Sequence, residues 1–515
     1  MPRLIYFCEE RVAILTEKSR PGVLKHASQP EALKLIPEVM ARKYVAMPIS
    51  VNGNALQVAL ANPADILALE ALATHSHMRI EPEIATVEEI LEAIDFNYKN
   101  YEQIEKQISN ISLPTKTIEE RIRLDAGTEA PIAQVLSLII DEAVKGRASD
   151  IHFQPQEAEL RVRYRIDGTL HDMFSLPLAA TTPLISRIKI LANMNIADPR
   201  RPQDGQFSLD TKGRLLDVRV GTTPTVYGEM AALRLLDKSR VSMDLSELGF
   251  LDETLAKYQK MLKVPYGMIL VSGPTGAGKT TTLYASVNRM DRMAQNIITI
   301  EDPVEYRFKN INQVQVNARS GITFSSGLRS ILRLDPDVIL VGEIRDAETA
   351  NIAVQSALTG HLVLSSIHAN DAVGVIIRLF DLGIEPFLVS SALIGVVAQR
   401  MVRLVCPDCG RLVEAPLMER VIYQREINEE RSEFMYGSGC TLCANTGYRG
   451  RTGIFEILTM SDDIRMMIVE GAPITKLRMQ AIKEGMVTLM QDGMLKVQAN
   501  VTNPAEVLRN TYSME

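Results

Sequence analysis

The stretch that most constrains this chain is residues 268–283, M-I-L-V-S-G-P-T-G-A-G-K-T-T-T-L. The apolar run ending at Val271 reads as a buried strand, the glycines as a turn, and the residues from Lys279 as a helix. Gly273, Gly278, Lys279 and Thr280 fit G-x-x-x-x-G-K-[ST], the pattern of a phosphate-cradling loop. The residue types follow from the chemistry. Glycines let successive backbone N–H groups converge on an anion with no Cβ in the way, and the helix start adds the positive end of its dipole. Gly273, Pro274, Thr275, Gly276, Ala277 and Gly278 would form that cradle. Lys279 would reach the β- and γ-phosphates, the Thr280 hydroxyl would hold Mg²⁺, and Thr281 completes the first helical residues. An ordinary glycine turn is the competing account, but the strand before and the helix after supply the context the motif requires.

Three later segments carry chemical character. Residues 297–305, I-I-T-I-E-D-P-V-E, read as a strand ending in Glu301, Asp302 and Glu305. Ligands of open α/β sheets collect at the carboxyl ends of strands, so acids there suit metal or water handling; a capped loop is the alternative. Residues 335–346 contain an apolar strand that delivers Glu343, with Gly342 where many P-loop enzymes place an acid. Glu343 could orient or deprotonate an attacking water. Residues 360–371 hold a short strand bracketed by His361 and His368. One such histidine alone would more often be structural; two together suggest a sensor of the γ-phosphate or of a neighbouring subunit.

Cys406, Cys409, Cys440 and Cys443 form a C-x₂-C…C-x₂-C set, which suits a tetrahedral, closed Zn²⁺ site. Residues 410–439 separate the pairs by more than the usual zinc-ribbon gap, so a helical excursion over 414–431 is expected. Four buried free thiols are the alternative. Cys8 is left over and reads as a small buried hydrophobe.

Upstream, residues 1–100 read as a small α/β domain, with a strand from Ala55 and helical spacing from Ile66 and again from Val87; His75 and His77 fall in the intervening loop. Residues 101–128 are charge-mixed and broken by Pro114, which reads as a linker. A helix opening at Pro131 starts a strand-rich domain over 129–242, in which Asp167-Gly168 makes a hairpin turn. Arg161, Arg163 and Arg165 share one face of a strand there, and a solvated sheet face accounts for them. The stretch 243–250 reads as a hinge into a last domain, 243–515, with a cysteine subdomain over 400–450.

A net charge of −7 argues against nucleic acid as a partner, and no apolar run approaches the ~20 residues that span a bilayer. The N-terminus lacks a signal-peptide layout, so a cytoplasmic protein with only indirect membrane contact is expected.

The segments GPTGAGKTTTLY, TIEDPVEY, DPDVILVGEIRD and GHLVLSSIHANDA stand in the order and spacing of the secretion superfamily ATPases. From about residue 126 to the C-terminus, and more loosely over 30–100, the chain closely resembles the hexameric ATPases of type II secretion and type IV pilus extension. That resemblance implies a multidomain α/β protein: a small N-terminal α/β partner-docking domain, a PAS-like α+β domain, and a RecA-like P-loop ATPase domain with a zinc subdomain and C-terminal helices. It implies ATP, Mg²⁺ and structural Zn²⁺, a homo-hexamer, and partners comprising an inner-membrane platform protein and cytoplasmic assembly proteins. It maps Walker A onto 273–280, the acidic box onto 299–305 with Glu301, the catalytic glutamate onto Glu343, and the histidine box onto 360–371. Arg219 and Arg234 match the family's interface arginines on the strand-rich domain; Arg329 and Arg333 match those of the P-loop domain. A P-loop translocase acting on nucleic acid is the runner-up, and a non-hydrolysing nucleotide-gated adaptor a second rival. Some relatives bind cyclic di-GMP through an N-terminal signature; residues 1–60 lack it, and no such binding is expected. Asn500 stands where glycine is common in the family, a departure that could alter one turn.

Overall fold

The computed structural model describes residues 30–511, apart from 64, 88, 92, 95–97, 99–124, 212–213, 238–243 and 444–445. Cys8, Pro114 and most of the linker stretch lie outside the described residues.

A first compact unit holds the residues described between 30 and 98. Helices α1 (Pro30–Leu35), α2 (Glu38–Tyr44) and α3 (Ile66–Ser76) accompany strands β1 (Ala46–Asn52), β2 (Ala55–Leu60) and β3 (Arg79–Ile84). β1 pairs antiparallel with β2, and β2 parallel with β3 across the α3 crossover. Alternate burial along β2 sends Leu56 and Val58 into a core shared with Leu72 and Ile90. His75 lies inside α3, and His77 caps it at φ 55°, so the loop expected around them is shorter. The Thr74 and Ser76 hydroxyls donate to the carbonyls of Glu70 and Leu72 and keep this last turn helical.

The second unit carries two sheets that bear on the site. The first is antiparallel, in the order β6-β5-β4-β9-β8-β7. Its strands are β4 (Ala148–Pro155), β5 (Glu159–Ile166), β6 (Thr169–Pro177), β7 (Gln203–Thr211), β8 (Arg214–Thr225) and β9 (Gly228–Asp237). Helices α4 (Asp125–Lys145) and α5 (Thr181–Leu191) complete this domain. Leu160, Val162, Tyr164 and Ile166 of β5 are buried, while Arg161, Arg163 and Arg165 take the opposite face, as the alternation requires. The β5–β6 turn is the expected one, with Asp167 and Gly168 at φ 47° and 90°. α4 begins at Asp125, so Pro131 falls within the helix instead of in its first turn. A proline costs a helix one i→i−4 bond, and only a turn and a half lies upstream of this one.

The second sheet, β12-β11-β13-β14-β10-β15-β18, is parallel except for β18, which runs against β15. Its strands are β10 (Gly267–Ser272), β11 (Ile297–Glu301), β12 (Asn312–Gln315), β13 (Val338–Val341), β14 (Leu362–Ile367), β15 (Leu393–Val405) and β18 (Tyr448–Thr459). β16 (Gly410–Glu414) and β17 (Glu433–Gly437) make a small separate pair. α6 (Asp252–Met261), α7 (Lys279–Asn288), α8 (Phe324–Ile331), α9 (Ala347–Leu358), α10 (Ala372–Asp381) and α11 (Pro386–Ala392) are the helices around the sheet. α12 (Leu417–Ile427) is the excursion expected between the cysteine pairs. α13 (Asp462–Val469), α14 (Ile474–Lys483), α15 (Leu489–Gln498) and α16 (Pro504–Thr511) close the chain. β10, β13 and β14 are buried at every residue, which is why they read as unbroken apolar runs.

The expected hinge over 243–250 is corrected in its described part. Leu245, Leu248 and Phe250 are buried in this domain, and Phe250 stacks on Phe455 with ring centroids 3.6 Å apart. The apolar residues of the segment therefore anchor its described part to the domain. Asn500 takes φ 58°, the left-handed conformation that asparagine tolerates, so the turn needs no glycine. Among the described residues no helix is long and apolar enough to cross a membrane.

Candidate nucleotide site

β10 ends at Ser272, and the loop turns through Gly273, Gly276 and Gly278 at φ 149°, 80° and 87° before α7 starts at Lys279. Gly278 is the N-cap, so the loop delivers its N–H groups at the helix's positive end. Thr275, Thr280 and Thr281 are exposed, and the Thr280 hydroxyl is open at the first helical turn. Lys279 Nζ donates to the carbonyls of Gly273 (2.8 Å) and Pro274 (3.2 Å). Burial pulls its pKa down from the usual lysine value, the charge of Glu343 opposes that, and the Arg400 guanidinium adds to the lowering.

Glu343 stands just past the carboxyl end of β13, beside β14, whose own end leads to His368. His368 Nε2 lies 2.8 Å from Glu343 Oε1, and Arg345 Nη2 lies 2.7 Å from Oε2. The carboxylate is only 14% exposed, so two cationic or protonatable neighbours fix its aim. Ser365 and Ser366 donate to the carbonyls of Val341 and Gly342 and pin the strand end that carries it. A Cβ at position 342 would lie 3.3 Å from Glu301 Cα and from the Ile300 carbonyl oxygen, so a side chain there would require the β11 backbone to give by a few tenths of an ångström. A cavity of about 450 Å³ is walled by Gly273, Pro274 and Thr275 on one side and His368, Ala369 and Asn370 on the other. The P-loop, Lys279, Thr280, Glu343 and His368 therefore meet at one end of one sheet.

Other expected site residues fall elsewhere. Glu301 is 3% exposed and accepts from Thr299, Gln313 and the Tyr284 hydroxyl. Its carboxylate is engaged inside the domain, where it ties Tyr284 of α7 and Gln313 of β12 to the end of β11. His361 sits at the amino end of β14, where its carbonyl accepts from Gly267 N–H and its ring Nδ1 lies 3.0 Å from the Ser356 carbonyl. Six strand residues separate it from the P-loop end, roughly 20 Å, which removes it from the nucleotide pocket of its own chain. Arg329 pairs with Glu348 at 2.7 Å, and Arg333 is exposed. Arg219 pairs with Glu305 at 2.8 Å, and Arg234 pairs with Asp150 at 3.0 Å. Arg219 and Arg234 line a second cavity, about 580 Å³, with Asp150, His152, Gln206 and Pro303.

Residues 125–509 match the family model described as type II/IV secretion system protein. The chain belongs to that family. Residues 24–103 match a second family model, the MshEN domain. The type IV pilus assembly ATPase PilB of Myxococcus xanthus is 40% identical over 492 residues, 94% of this chain and 87% of that protein. The type II secretion system protein E of Klebsiella pneumoniae is 47% identical over 388 residues, 75% of this chain and 77% of that one. The X-ray structure of the Legionella pneumophila ATPase DotB matches with a TM-score of 0.54 at 18% identity, over 77% of this chain and 96% of that chain, a likeness of fold.

In this secretion-family chain the Sγ atoms of Cys406, Cys409, Cys440 and Cys443 all lie within 4.8 Å of one another. Tetrahedral thiolate ligation at about 2.3 Å places sulfurs roughly 3.8 Å apart, so the set fits Zn²⁺ with no open position. The Cys440 N–H donates to Cys443 Sγ at 3.1 Å, the kind of contact that steadies a thiolate.

Sequence reasoning missed Arg345, Tyr284 and Gln399. Arg345 lies two residues from Glu343 and could have been found. Tyr284 meets Glu301 of β11, and Gln399 meets Ala277 in the P-loop and Thr282 on α7, so neither carries a local signal.

Proposed function

We propose that this chain is a Mg²⁺-dependent ATPase that works as a homo-hexameric ring and powers assembly of a type IV pilus or a type II secretion pseudopilus. The observation that carries this reading is one cavity with the P-loop on one wall and His368 on the other, where His368 and Arg345 hold the Glu343 carboxylate and Lys279 bonds the carbonyls of Gly273 and Pro274. The Myxococcus and Klebsiella relatives supply the machine, since their names are those of a pilus assembly ATPase and a type II secretion protein. Neither the family match nor these relatives point to nucleic acid.

The loop N–H groups and Lys279 would hold the phosphates, and Thr280 would hold Mg²⁺. Glu343 would orient the attacking water and take its proton. Arg219, Arg234, Arg329 and Arg333 are proposed to act on the nucleotide of a neighbouring protomer. Arg219, Arg234 and Arg329 are each engaged by a carboxylate of their own chain. An arginine brought to the γ-phosphate would then contribute a factor of about 10³–10⁵ in rate. Different contacts to ATP and ADP would drive the strand-rich domain, 129–242, against the P-loop domain, 243–515. Residues 1–100, ahead of the linker at 101–128, are proposed to dock the cytoplasmic assembly partners and an inner-membrane platform protein. The ring would then sit at the cytoplasmic face of the inner membrane, without spanning it.

Phosphate release from Mg·ATP by the full chain tests the reading. Steady release that stops when EDTA removes the metal is expected. No release, even from chains forced into oligomers, would end the motor interpretation.

The four cysteines are proposed to hold structural Zn²⁺ within 400–450. Treating the purified chain with a thiol-modifying mercurial should release about one Zn²⁺ per chain into a colorimetric chelator. Cys440→Ser should lower that yield sharply, and a metal-free protein with four titratable thiols would refute the site.

A further inference from the structure

The P-loop meets the neighbouring strand β15 at both of its ends, at Gly273 and at Ala277–Gly278. Ser272 at the end of β10 is level with Ala398, so Gln399 comes next to the first residue of the loop. Gln399 is 1% exposed, and nothing in the phosphate-binding motif calls for it. Both ends of its amide are used. Nε2 donates to the Ala277 carbonyl at 2.6 Å, and Oε1 accepts from the Thr282 hydroxyl at 2.8 Å. The main chain at this residue is as close: a Cβ on Gly273 would lie 2.5 Å from the Gln399 carbonyl oxygen, and one on Gly278 would lie 3.2 Å from Nε2.

We infer that Gln399 is the positioning residue that sets the phosphate-binding conformation of the P-loop, through the Ala277–Gly278 peptide. This rests on the nucleotide reading of the pocket. A trans peptide points its carbonyl and its following N–H in opposite directions. Holding the Ala277 carbonyl against β15 therefore aims the Gly278 N–H away from β15. Gly278 sits at φ 87° with no Cβ, so its own residue type does little to stop that peptide from turning over. The helix ladder does not hold it either: Thr282 N–H bonds the Gly278 carbonyl, one residue further on. The Thr282 hydroxyl completes the arrangement. By occupying Oε1 it fixes which end of the Gln399 amide faces Ala277, and only the amine end can donate to a carbonyl. Gln399 touches no phosphate under this scheme.

The test is equilibrium binding of Mg·ADP to the full chain, with thermal unfolding of the nucleotide-free protein measured alongside. Gln399→Leu keeps an apolar filler of similar volume but leaves the Ala277 carbonyl and the Thr282 hydroxyl unmet, and should weaken binding about tenfold. Gln399→Glu adds a readout that loss of stability would not move. Its carboxylate has no proton for Ala277, whereas its protonated form donates to Ala277 and accepts from Thr282 as the amide does. Burial raises the pKa of such a carboxyl. Its affinity relative to wild type should therefore be about tenfold low near pH 8.5 and recover as the pH falls towards about 5.5. If Gln399→Leu does not fold, this profile still decides the matter. A ratio near one at every pH, or Gln399→Leu binding within about twofold of wild type whether or not it unfolds earlier, would overturn the assignment. Wild-type protein that fails to bind Mg·ADP would overturn the nucleotide reading instead.

Discussion

Glu343→Gln will bind Mg·ATP as tightly as the unmodified chain and hydrolyse it at least about a hundredfold more slowly, the typical loss when a positioned base is removed. The side chain keeps its length, so its Oε1 can still meet Arg345 at the end of β13, where the carboxylate lies 2.7 Å from that guanidinium. What disappears is the negative charge that would take the water's proton. A P-loop binds phosphate through backbone N–H groups and Lys279, and neither group is supplied by Glu343. Lys279→Ala should fail differently, losing affinity and turnover together, because it deletes the cation that meets the phosphates in both the ground state and the transition state. Pairing a nucleotide titration with a phosphate-release assay separates the two signatures. Loss of nucleotide binding in Glu343→Gln would remove the proposed base and make the residue part of the binding frame.

Legibility followed the distance over which a residue's surroundings are set. The P-loop could be read because strand, glycines, lysine and helix all lie within 268–283 and the chemistry restricts each one. Glu343 was legible because a fully buried apolar strand delivers it to the end of the sheet where ligands collect. Glu301 is less legible for the complementary reason. It also ends a buried strand, but Tyr284 on α7 and Gln313 on β12 close over it, and neither is visible from the local pattern. His361 and His368 looked equivalent because they flank the same short strand. A parallel strand has two ends at opposite edges of the sheet, and only His368 is at the edge where β10 opens into the P-loop. Gln399 contacts Ala277 across 122 residues of sequence, so no motif could have announced it. The same holds for the segment after residue 243, whose burial depends on Phe455 in the distant strand β18.

Asp492→Ala should destabilise the C-terminal part of the P-loop domain by about 3–5 kcal/mol, the cost of breaking a buried ion pair by removing one partner. Asp492 on α15 is fully buried, and Lys496 one turn later is 6% exposed. Their Oδ2 and Nζ atoms lie 2.5 Å apart, and the same Oδ2 accepts from the Phe455 N–H of β18 at 2.9 Å. Burial pushes the Asp492 carboxyl up and the Lys496 ammonium down, and each partner's charge opposes the other's shift. Alanine would leave an ammonium without a counter-charge and a strand N–H without an acceptor. The helix has no easy retreat, because Gly493 packs so closely on α16 that a Cβ there would meet Val507 at 2.4 Å. Removing both charges is a different experiment. Asp492→Asn with Lys496→Met retains an acceptor for Phe455 and should cost only about 1 kcal/mol. In a multidomain chain a single melting temperature is poorly defined, so hydrogen exchange at the Phe455 amide is the sharper measurement. That amide should lose protection in Asp492→Ala and keep most of it in the double variant. Equal protection in the two would mean that Lys496 finds water or another partner when Asp492 is gone, and that the pair does not hold α15 on β18.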